Sequence, residues 1–309
     1  MEFTNTVFMV RPANFCFNEQ TSASNAFQIK GGDFTSIREK ALSEFDAMQQ
    51  KLSDSGINVI VIEDTADPVK PDAIFPNNWI SLHKNGTVVL YPMEAENRRL
   101  ERREDIIKRL EERFDVNERL NLSYNEQLGR YLEGTGSIVF GHREKTAYAA
   151  ISSRTHPETF KDLCGAIGYR PVLFHAFDEN KKPIYHTNVM MCIGNGFAVI
   201  CLDAIPDPGE KDYLRRILTA AGRSIIEISP DQVKRFAGNM LQLQNREGRK
   251  ILVLSQTAYD AFTEKQRTDI RKYTEMLPVG IPTIEQVGGG SVRCMIAENF
   301  LPPKKNGFE

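Results

Sequence analysis

The sequence lacks the features that mark membrane-spanning, secreted and metal-dependent proteins. It contains no apolar run of about 18 residues, the length that a membrane-spanning helix needs. The first six residues form neither a basic nor an apolar stretch, so we do not interpret them as a signal peptide. The Cys-x-x-Cys, His-Glu-x-x-His and calcium-loop spacings are absent, and we therefore predict no metal and no cofactor.

Cysteine is scarce, and neither sign of charge is in large excess. The five cysteines are odd in number and scattered, which favours reduced thiols in a cytoplasmic protein over a disulfide framework. The formal net charge of −2 predicts no affinity for nucleic acid or for an anionic membrane. No linker divides the 309 residues, so we expect a single domain over residues 1–309. Whether it forms a homo-oligomer stays open.

The sequence does contain a recurring order of strand, strand, helix and strand. In its clearest copy, strands at Ile80–His83 and Thr87–Tyr91 flank an Asn85-Gly86 hairpin signal, and a charge-laced helix follows at Glu96–Phe114. We expect the charges of that helix to lie on a solvated face. Similar units follow, with a long helix predicted at Ala258–Met276. One polar or nucleophilic residue marks each unit, at intervals of 53 or 55 positions: Asn78, Glu133, His186, Asn239 and Cys294.

A constant period close to the length of one supersecondary unit indicates a repeat architecture. The last unit is too short to finish, and we expect the N-terminal strand Thr6–Val10 to complete it. Five such units would form an α/β ring with fivefold pseudosymmetry. The marked residues would then face one axial pocket.

The stretch around Cys294 is the strongest candidate for chemistry. Gly288–Gly290 allow a tight turn and a close approach to a ligand, and Ser291–Met295 alternates as a short strand would. A cysteine thiolate is a nucleophile when its surroundings are electropositive or rich in hydrogen-bond donors, and Arg293 could contribute to such surroundings. The alternative is a small core cysteine after an ordinary turn.

His186 and Glu133 share the register of Cys294. A carboxylate near a histidine can orient it and raise its pKa, and a cationic His186 would activate the thiol and protonate a leaving amine. Glu133 could equally be a turn carboxylate. As a set, these residues fit addition to an sp² carbon followed by expulsion of a nitrogen.

The chain resembles the pentein superfamily of guanidino-group modifying enzymes, which includes arginine deiminases, dimethylarginine hydrolases, amidinotransferases and arginine dihydrolases. The branch called citrulline-utilisation hydrolases is the most similar. The motifs that carry the resemblance are Met9-Val10-Arg11-Pro12, Phe75-Pro76-Asn77-Asn78-Trp79, Leu132-Glu133-Gly134-Thr135-Gly136, Tyr185-His186-Thr187-Asn188 and Gly289–Met295.

The resemblance implies a five-bladed α/β propeller and catalytic roles for Cys294, His186 and Glu133. It also implies that Arg154 binds the α-carboxylate of an amino-acid substrate, although a surface ion pair would explain this arginine as well. Asn239 either contacts the substrate or only fixes a turn. We expect the segment Asn14–Ala26 to act as a lid, and we treat Cys16 within it as incidental.

Two departures from the deiminase pattern bear on the substrate. Deiminases carry aspartates at the positions of Asn78 and Asn188, where they hold a cationic guanidinium by charge-assisted hydrogen bonds. An asparagine has no charge and adds an NH₂ donor, which suits the carbonyl oxygen of a neutral ureido group. We therefore predict hydrolysis of citrulline to ornithine, ammonia and carbon dioxide. Arginine dihydrolase, deiminase or amidinotransferase activity is the alternative within the superfamily, and a non-catalytic binding module is the alternative outside enzymes.

Overall fold

The computed structural model describes residues 2–304, which contain five three-stranded sheets of one common topology. In each sheet the middle strand is antiparallel to one neighbour and parallel to the other. The strands are β1 (Thr6–Arg11), β2 (Asn58–Glu63), β3 (Ile80–Leu82), β4 (Thr87–Leu90), β5 (Glu118–Asn121), β6 (Val139–Gly141), β7 (Thr146–Ala150), β8 (Arg170–Phe174), β9 (Met191–Gly194), β10 (Phe197–Ile200), β11 (Ser224–Glu227), β12 (Leu241–Gln244), β13 (Lys250–Ser255), β14 (Glu275–Val279) and β15 (Ala297–Glu298).

Four sheets use strands that follow one another along the chain, and one joins strands from opposite ends of it. The sheet orders are β15-β1-β2, β3-β4-β5, β6-β7-β8, β11-β10-β9 and β12-β13-β14. In the first of these, β1 runs parallel to β2 and antiparallel to β15. Neighbouring sheets contact each other through their first strands, β15 with β3, β6 with β9 and β9 with β12.

Each parallel pair of strands requires a crossover, and helices supply it. The predicted order of strand, strand, helix and strand is therefore confirmed. Within residues 2–304 every helix falls short of a membrane span in length or in apolar character. The helices are α1 (Glu19–Ser22), α2 (Phe34–Asp54), α3 (Glu96–Arg99), α4 (Glu104–Arg113), α5 (Gly134–Ser137), α6 (Pro157–Ile167), α7 (Pro208–Ala220), α8 (Pro230–Lys234), α9 (Gln256–Ala261), α10 (Glu264–Arg271) and α11 (Pro282–Gly288).

The middle strands lie deepest in the fold. Every residue of β7 and β10 is buried, as expected for strands covered on both faces. The helices pack one apolar stripe against the sheets. In α2 this stripe is Ala41, Phe45, Met48 and Leu52, which recur every three or four positions and are all buried.

A short turn precedes the first strand of each sheet, and the residue that marks the repeat lies in this turn or directly beside it. Asn78 ends one 3₁₀ turn, Cys294 lies inside another, and Glu133 and His186 each stand directly before theirs. Asn239 follows a turn that its N–H closes on Phe236. The side chains of all five are buried, although four of the five are polar.

Two local predictions in the last two repeats are wrong. The strand expected at Ser291–Met295 is a 3₁₀ turn, because the N–H of Cys294 bonds back to Ser291 and β15 begins only at Ala297. The single helix expected at Ala258–Met276 is divided, because Thr263 and Gln266 form a capping box that starts α10.

The closure of the first sheet can be tested at Phe8, in the middle of β1. Phe8 is fully buried, pairs with Ile60 and Ala297, and packs edge-on against Trp79. Phe8→Ala should lower the free energy of unfolding by about 3–5 kcal/mol, measured by urea denaturation. The control is Glu63→Ala at the exposed end of β2, which should change it by less than about 0.5 kcal/mol. A loss below about 1 kcal/mol for Phe8→Ala would contradict this packing.

Candidate active site

One buried cavity collects reactive and polar side chains from four of the five repeats. Cys294, His186, Asn78 and Arg154 all line it. The exposed fractions of Cys294 and His186 are only 4% and 2%. The structure thus places the predicted nucleophile and the predicted acid–base residue at the same closed cavity.

The sulfur of Cys294 lies beside two amide donors. The Nδ2 atoms of Asn188 and Asn239 are 3.5 and 3.4 Å from Sγ. The orientation of the Asn239 amide is fixed, because its Oδ1 accepts the backbone N–H of Arg293 at 3.0 Å and its NH₂ must face the other way. Two N–H donors aimed at one sulfur stabilise negative charge on it after the thiol loses its proton. The help expected from Arg293 thus comes through its backbone, since its guanidinium bonds Glu298 and the carbonyl of Ile296.

His186 is held by Glu133. The imidazole Nε2 lies 2.8 Å from Oε2 of Glu133, whose other oxygen accepts the N–H of Glu94 at 3.0 Å. Because a carboxylate only accepts hydrogen bonds, Nε2 carries the proton and Nδ1 has the free lone pair in the neutral ring. Nδ1 lies 2.7 Å from the position that a Cβ on Gly136 would occupy. Both carboxylate oxygens already accept hydrogen bonds from the protein, which favours an orienting role for Glu133 over direct contact with substrate.

The charge state of this pair differs from the sequence-based expectation. Burial would raise the pKa of Glu133, but Arg154, His186 and Arg98 outweigh it and hold that pKa well below its ordinary value. Burial lowers the pKa of His186 to about 4, and the opposing effect of Glu133 does not compensate. The expectation of a cationic His186 is therefore wrong for the closed site. In the neutral ring, Nδ1 is able to accept a proton.

Arg154 is no surface ion-pair residue, since only 2% of it is exposed. Its Nη1 is 3.4 Å from Glu133, and its Nη2 donates to Ser24 Oγ at 2.7 Å and to the carbonyl of Thr21 at 3.1 Å. Its guanidinium also stacks 5.0 Å from the ring centre of Tyr185. Arg154 thus links the Glu133–His186 pair to the segment that covers the cavity.

Arg98 and Glu101 are site components that the sequence pattern did not reveal. Both are 2% exposed, so the prediction of a solvated face is wrong for them. The helix expected at Glu96–Phe114 is also interrupted between α3 and α4, where Glu101 lies. Glu101 accepts two hydrogen bonds of 2.9 Å from Arg98. Nη1 of Arg98 then donates to Oδ1 of Asn78 at 2.8 Å.

Three buried polar atoms around Cys294 and this cavity have no hydrogen-bond partner among the described residues. They are Nδ2 of Asn78, Oδ1 of Asn188 and Oδ1 of Asp72. Such atoms are rare in folded proteins, because an unmet donor or acceptor is costly away from water. Nδ2 of Asn78 and Oδ1 of Asp72 belong to side chains that line the cavity, so one donor and one acceptor are available to a polar ligand there. Asp72, like Arg98, lacks a distinctive sequence motif and was missed.

The predicted lid segment lies over the cavity. Asn25 Nδ2 donates to the carbonyl of Gly289 at 3.2 Å, and Thr21 Oγ1 lies 3.3 Å from Asp72. Gly289 has a φ of +63° at the end of α11, a conformation that glycine adopts at little cost. Cys16, in the predicted lid segment, is half-buried, and burial raises the pKa of its thiol.

The fold and this site match known proteins. The family model of eukaryotic N,N-dimethylarginine dimethylhydrolases matches residues 11–301, and the chain belongs to this family. A comparison with curated protein sequences returns no match. The family belongs to the pentein superfamily of guanidino-group modifying enzymes, which confirms the superfamily assignment. The protein is thus a hydrolase of C–N bonds other than peptide bonds.

Solved structures share the fold at low sequence identity. The N-terminal domain of ArgZ, a cyanobacterial arginine dihydrolase with bound substrate, has a TM-score of 0.73 and 16% identity over 96% of this chain and 99% of that one. A binary complex of AgrE with L-arginine has a TM-score of 0.76 and 16% identity over 97% of this chain but 41% of its own. A dimethylarginine dimethylaminohydrolase with an S-methyl-L-thiocitrulline adduct has a TM-score of 0.65 and 16% identity over 96% and 99%. The predicted pentein α/β fold is confirmed.

The approach of Asn78 and His186 to Gly136 predicts the effect of one added methyl group. A Cβ at position 136 would lie 2.4 Å from Asn78 Nδ2 and 2.7 Å from His186 Nδ1, so both side chains must shift. Gly136→Ala should lower kcat for C–N bond hydrolysis by about 100-fold or more, because a displacement of active-site groups by about 1 Å has an effect of that size. Gly165→Ala in α6, where a Cβ meets no atom within 4 Å, is the control and should leave kcat unchanged. Normal kcat in Gly136→Ala would refute the geometry.

The low pKa of His186 predicts a pH-dependent stability. In the unfolded chain this histidine titrates near its ordinary value of 6.5, whereas in the fold it stays neutral down to about pH 4. The unfolded state therefore takes up a proton first, and stability falls with pH below 6.5. This residue should account for a loss of about 2 kcal/mol between pH 7 and pH 5. Between pH 7 and pH 5 the free energy of unfolding, measured with urea, should therefore fall by about 2 kcal/mol less in His186→Gln than in the unmodified protein. Equal losses in the two proteins would exclude the lowered pKa of His186.

Proposed function

We propose that the protein hydrolyses the ureido group of citrulline, with Cys294 as the nucleophile. The observation that carries the proposal is the set of uncharged amides at the reacting end of the cavity. Asn188 and Asn239 contact the sulfur, and the NH₂ of Asn78 lies beside the same Gly136 position as His186 Nδ1. A guanidinium is best held by carboxylates, whereas a neutral ureido carbonyl is best held by amide donors.

The rest of the cavity suits a zwitterionic amino acid. Arg154 offers a buried cation for an α-carboxylate, and Asp72 offers an acceptor oxygen without a partner for an α-amino group. In the closed state Ser24 and Thr21 occupy the Nη2 donors of Arg154. We expect the substrate carboxylate to replace these contacts when the covering segment opens.

The first chemical step forms a bond between the sulfur and the ureido carbon. Neutral His186 takes the thiol proton at Nδ1, and the amides around Sγ stabilise the thiolate before it attacks. The C=O bond opens to an oxyanion, and we expect Asn78 Nδ2, which has no partner among the described residues, to donate a hydrogen bond to it. His186 then passes its proton to the departing nitrogen, the C–N bond breaks, and a thiocarbamoyl group remains on Cys294.

The second step uses water. His186, neutral again, removes a proton from a water molecule that attacks the thiocarbamoyl carbon. The C–S bond breaks, and the proton returns to the sulfur of Cys294. The released carbamic acid decomposes to an amine and carbon dioxide. Whichever nitrogen leaves first, the products from citrulline and water are ornithine, ammonia and carbon dioxide.

Arginine is the second candidate substrate. The partnerless carboxylate oxygen of Asp72 favours it, because a carboxylate on the cavity wall could hold a guanidinium. We place citrulline first because Asp72 lies beside the lid contacts of Asn18 and Thr21, whereas amides surround Cys294.

Ammonia release from citrulline and from arginine, measured side by side, tests this proposal. We expect kcat/KM for citrulline to exceed that for arginine by about 10-fold or more, since one charge-assisted hydrogen bond is worth that much. Cys294→Ala should lower turnover by about 1,000-fold or more, whereas Cys164→Ala, a buried cysteine of α6, should retain it. Faster turnover of arginine would overturn the substrate assignment. Full turnover by Cys294→Ala would overturn the mechanism.

A further inference from the structure

Arg98 lines the cavity and belongs to a buried hydrogen-bond network. Four of its N–H groups are used within the protein. Two donate to Glu101 at 2.9 Å each, one to the carbonyl of Phe75 at 3.2 Å and one to Oδ1 of Asn78 at 2.8 Å. Neither Arg98 nor Glu101 takes part in a chemical step of the proposed mechanism.

The contact with Arg98 determines which end of the Asn78 amide faces the substrate. A guanidinium can only donate hydrogen bonds, so the amide atom that faces Arg98 is the oxygen. The NH₂ group must then point away from Arg98, and it lies 2.4 Å from the position of a Cβ on Gly136, close to His186. Nδ2 has no partner among the described residues and is buried, as a donor reserved for a ligand would be.

We propose that Arg98 and Glu101 are positioning residues that set substrate specificity, because they fix the Asn78 amide with its NH₂ toward the reacting group. The orientation of the Asn78 amide does not depend on the activity, whereas the effect on substrate specificity rests on the proposed function.

Glu101 matters because Arg98 has a second carboxylate within reach. Asp72 Oδ2 lies 3.8 Å from Nε of Arg98, too far for a good hydrogen bond but close enough to attract it. The bidentate contact with Glu101 holds the guanidinium plane in the direction of Asn78. If Glu101 loses its charge, Arg98 is drawn toward Asp72 and releases the amide. Asn78 can then turn its oxygen toward the cavity and accept a hydrogen bond from a guanidinium.

The first test compares Glu101→Gln with a matched control. Glu126 forms a similar bidentate pair with Arg102 at 2.6 and 3.0 Å, partly buried and outside the cavity. Glu101→Gln should lower the ratio of kcat/KM for citrulline to kcat/KM for arginine by about 10-fold or more. Glu126→Gln should leave that ratio unchanged. If Glu101→Gln weakens both substrates equally, its role is only structural and the proposal is wrong.

A double-mutant cycle shows whether the effect passes through Asn78. In Asn78→Asp both side-chain atoms are acceptors, so there is no orientation left to fix. Glu101→Gln should therefore leave the substrate ratio unchanged in the Asn78→Asp background. A 10-fold fall in that background as well would mean that Glu101 acts by another route.

A measurement without substrate keeps the inference testable if the proposed function fails. With ¹⁵N-labelled asparagine, the side chain of Asn78 should give one sharp pair of NMR signals, identified by their loss in Asn78→Asp. In Glu101→Gln a second pair of signals should appear, or the one pair should broaden. If Glu101→Gln is unstable, the same result is expected in Arg98→Lys. A single unchanged pair would overturn the proposed orientation. Absence of turnover of both substrates by the unmodified protein would instead refute the proposed function, whatever these signals show.

Discussion

The buried carboxylate of Glu133 is the interaction on which the rest of the site depends. It is fully shielded from solvent, yet it remains charged, because it accepts hydrogen bonds from His186, Arg154 and a backbone N–H. Burying an unpaired charge at this depth would cost more free energy than the entire free energy of unfolding of a typical domain. The same carboxylate thus sets the tautomer of the acid–base histidine, anchors the arginine expected to bind substrate, and connects both to the covering segment through Arg154.

The repeat architecture explains how residues from distant parts of the chain reach one cavity. Every sheet is entered through a short turn, and neighbouring sheets touch through their first strands. A residue in such a turn therefore lies near its counterparts from the adjacent repeats. The chemistry can change by substitution in these turns while the strands and crossover helices keep their packing. In this chain the turns carry amides where deiminases, which the sequence resembles, carry acids, and the neutral character of the reacting end follows from that.

Much of the fold and of the residues around the cavity could be predicted from the sequence. The spacing of Asn78, Glu133, His186, Asn239 and Cys294 follows from the length of one repeat, and hairpin and strand signals stand beside these positions. Most of the predictions that failed depend on tertiary contacts. Interleaved acids and bases around Arg98 have the pattern of a solvated helix, and only the three-dimensional structure shows that Glu101 pairs with Arg98 out of solvent.

The charge on His186 could not be predicted for a similar reason. A neighbouring carboxylate raises the pKa of a histidine, but burial opposes it, and the sequence does not give the depth of the site. The same applies to Asp72, which is one aspartate among many until the fold places it beside the cavity. The strands could be predicted from local patterns. The capping box at Thr263 is also a local pattern, but it was overlooked when the helix was predicted.

The central claim is covalent catalysis at Cys294 on a ureido carbon, and trapping the intermediate tests it most directly. The protein would be mixed with citrulline, quenched in acid within a single turnover, digested and analysed by mass spectrometry. The account predicts a thiocarbamoyl group on the peptide that contains Cys294, and its loss when turnover is complete. Turnover of citrulline with an unmodified Cys294 at every time point, or with the adduct on another residue, would contradict it.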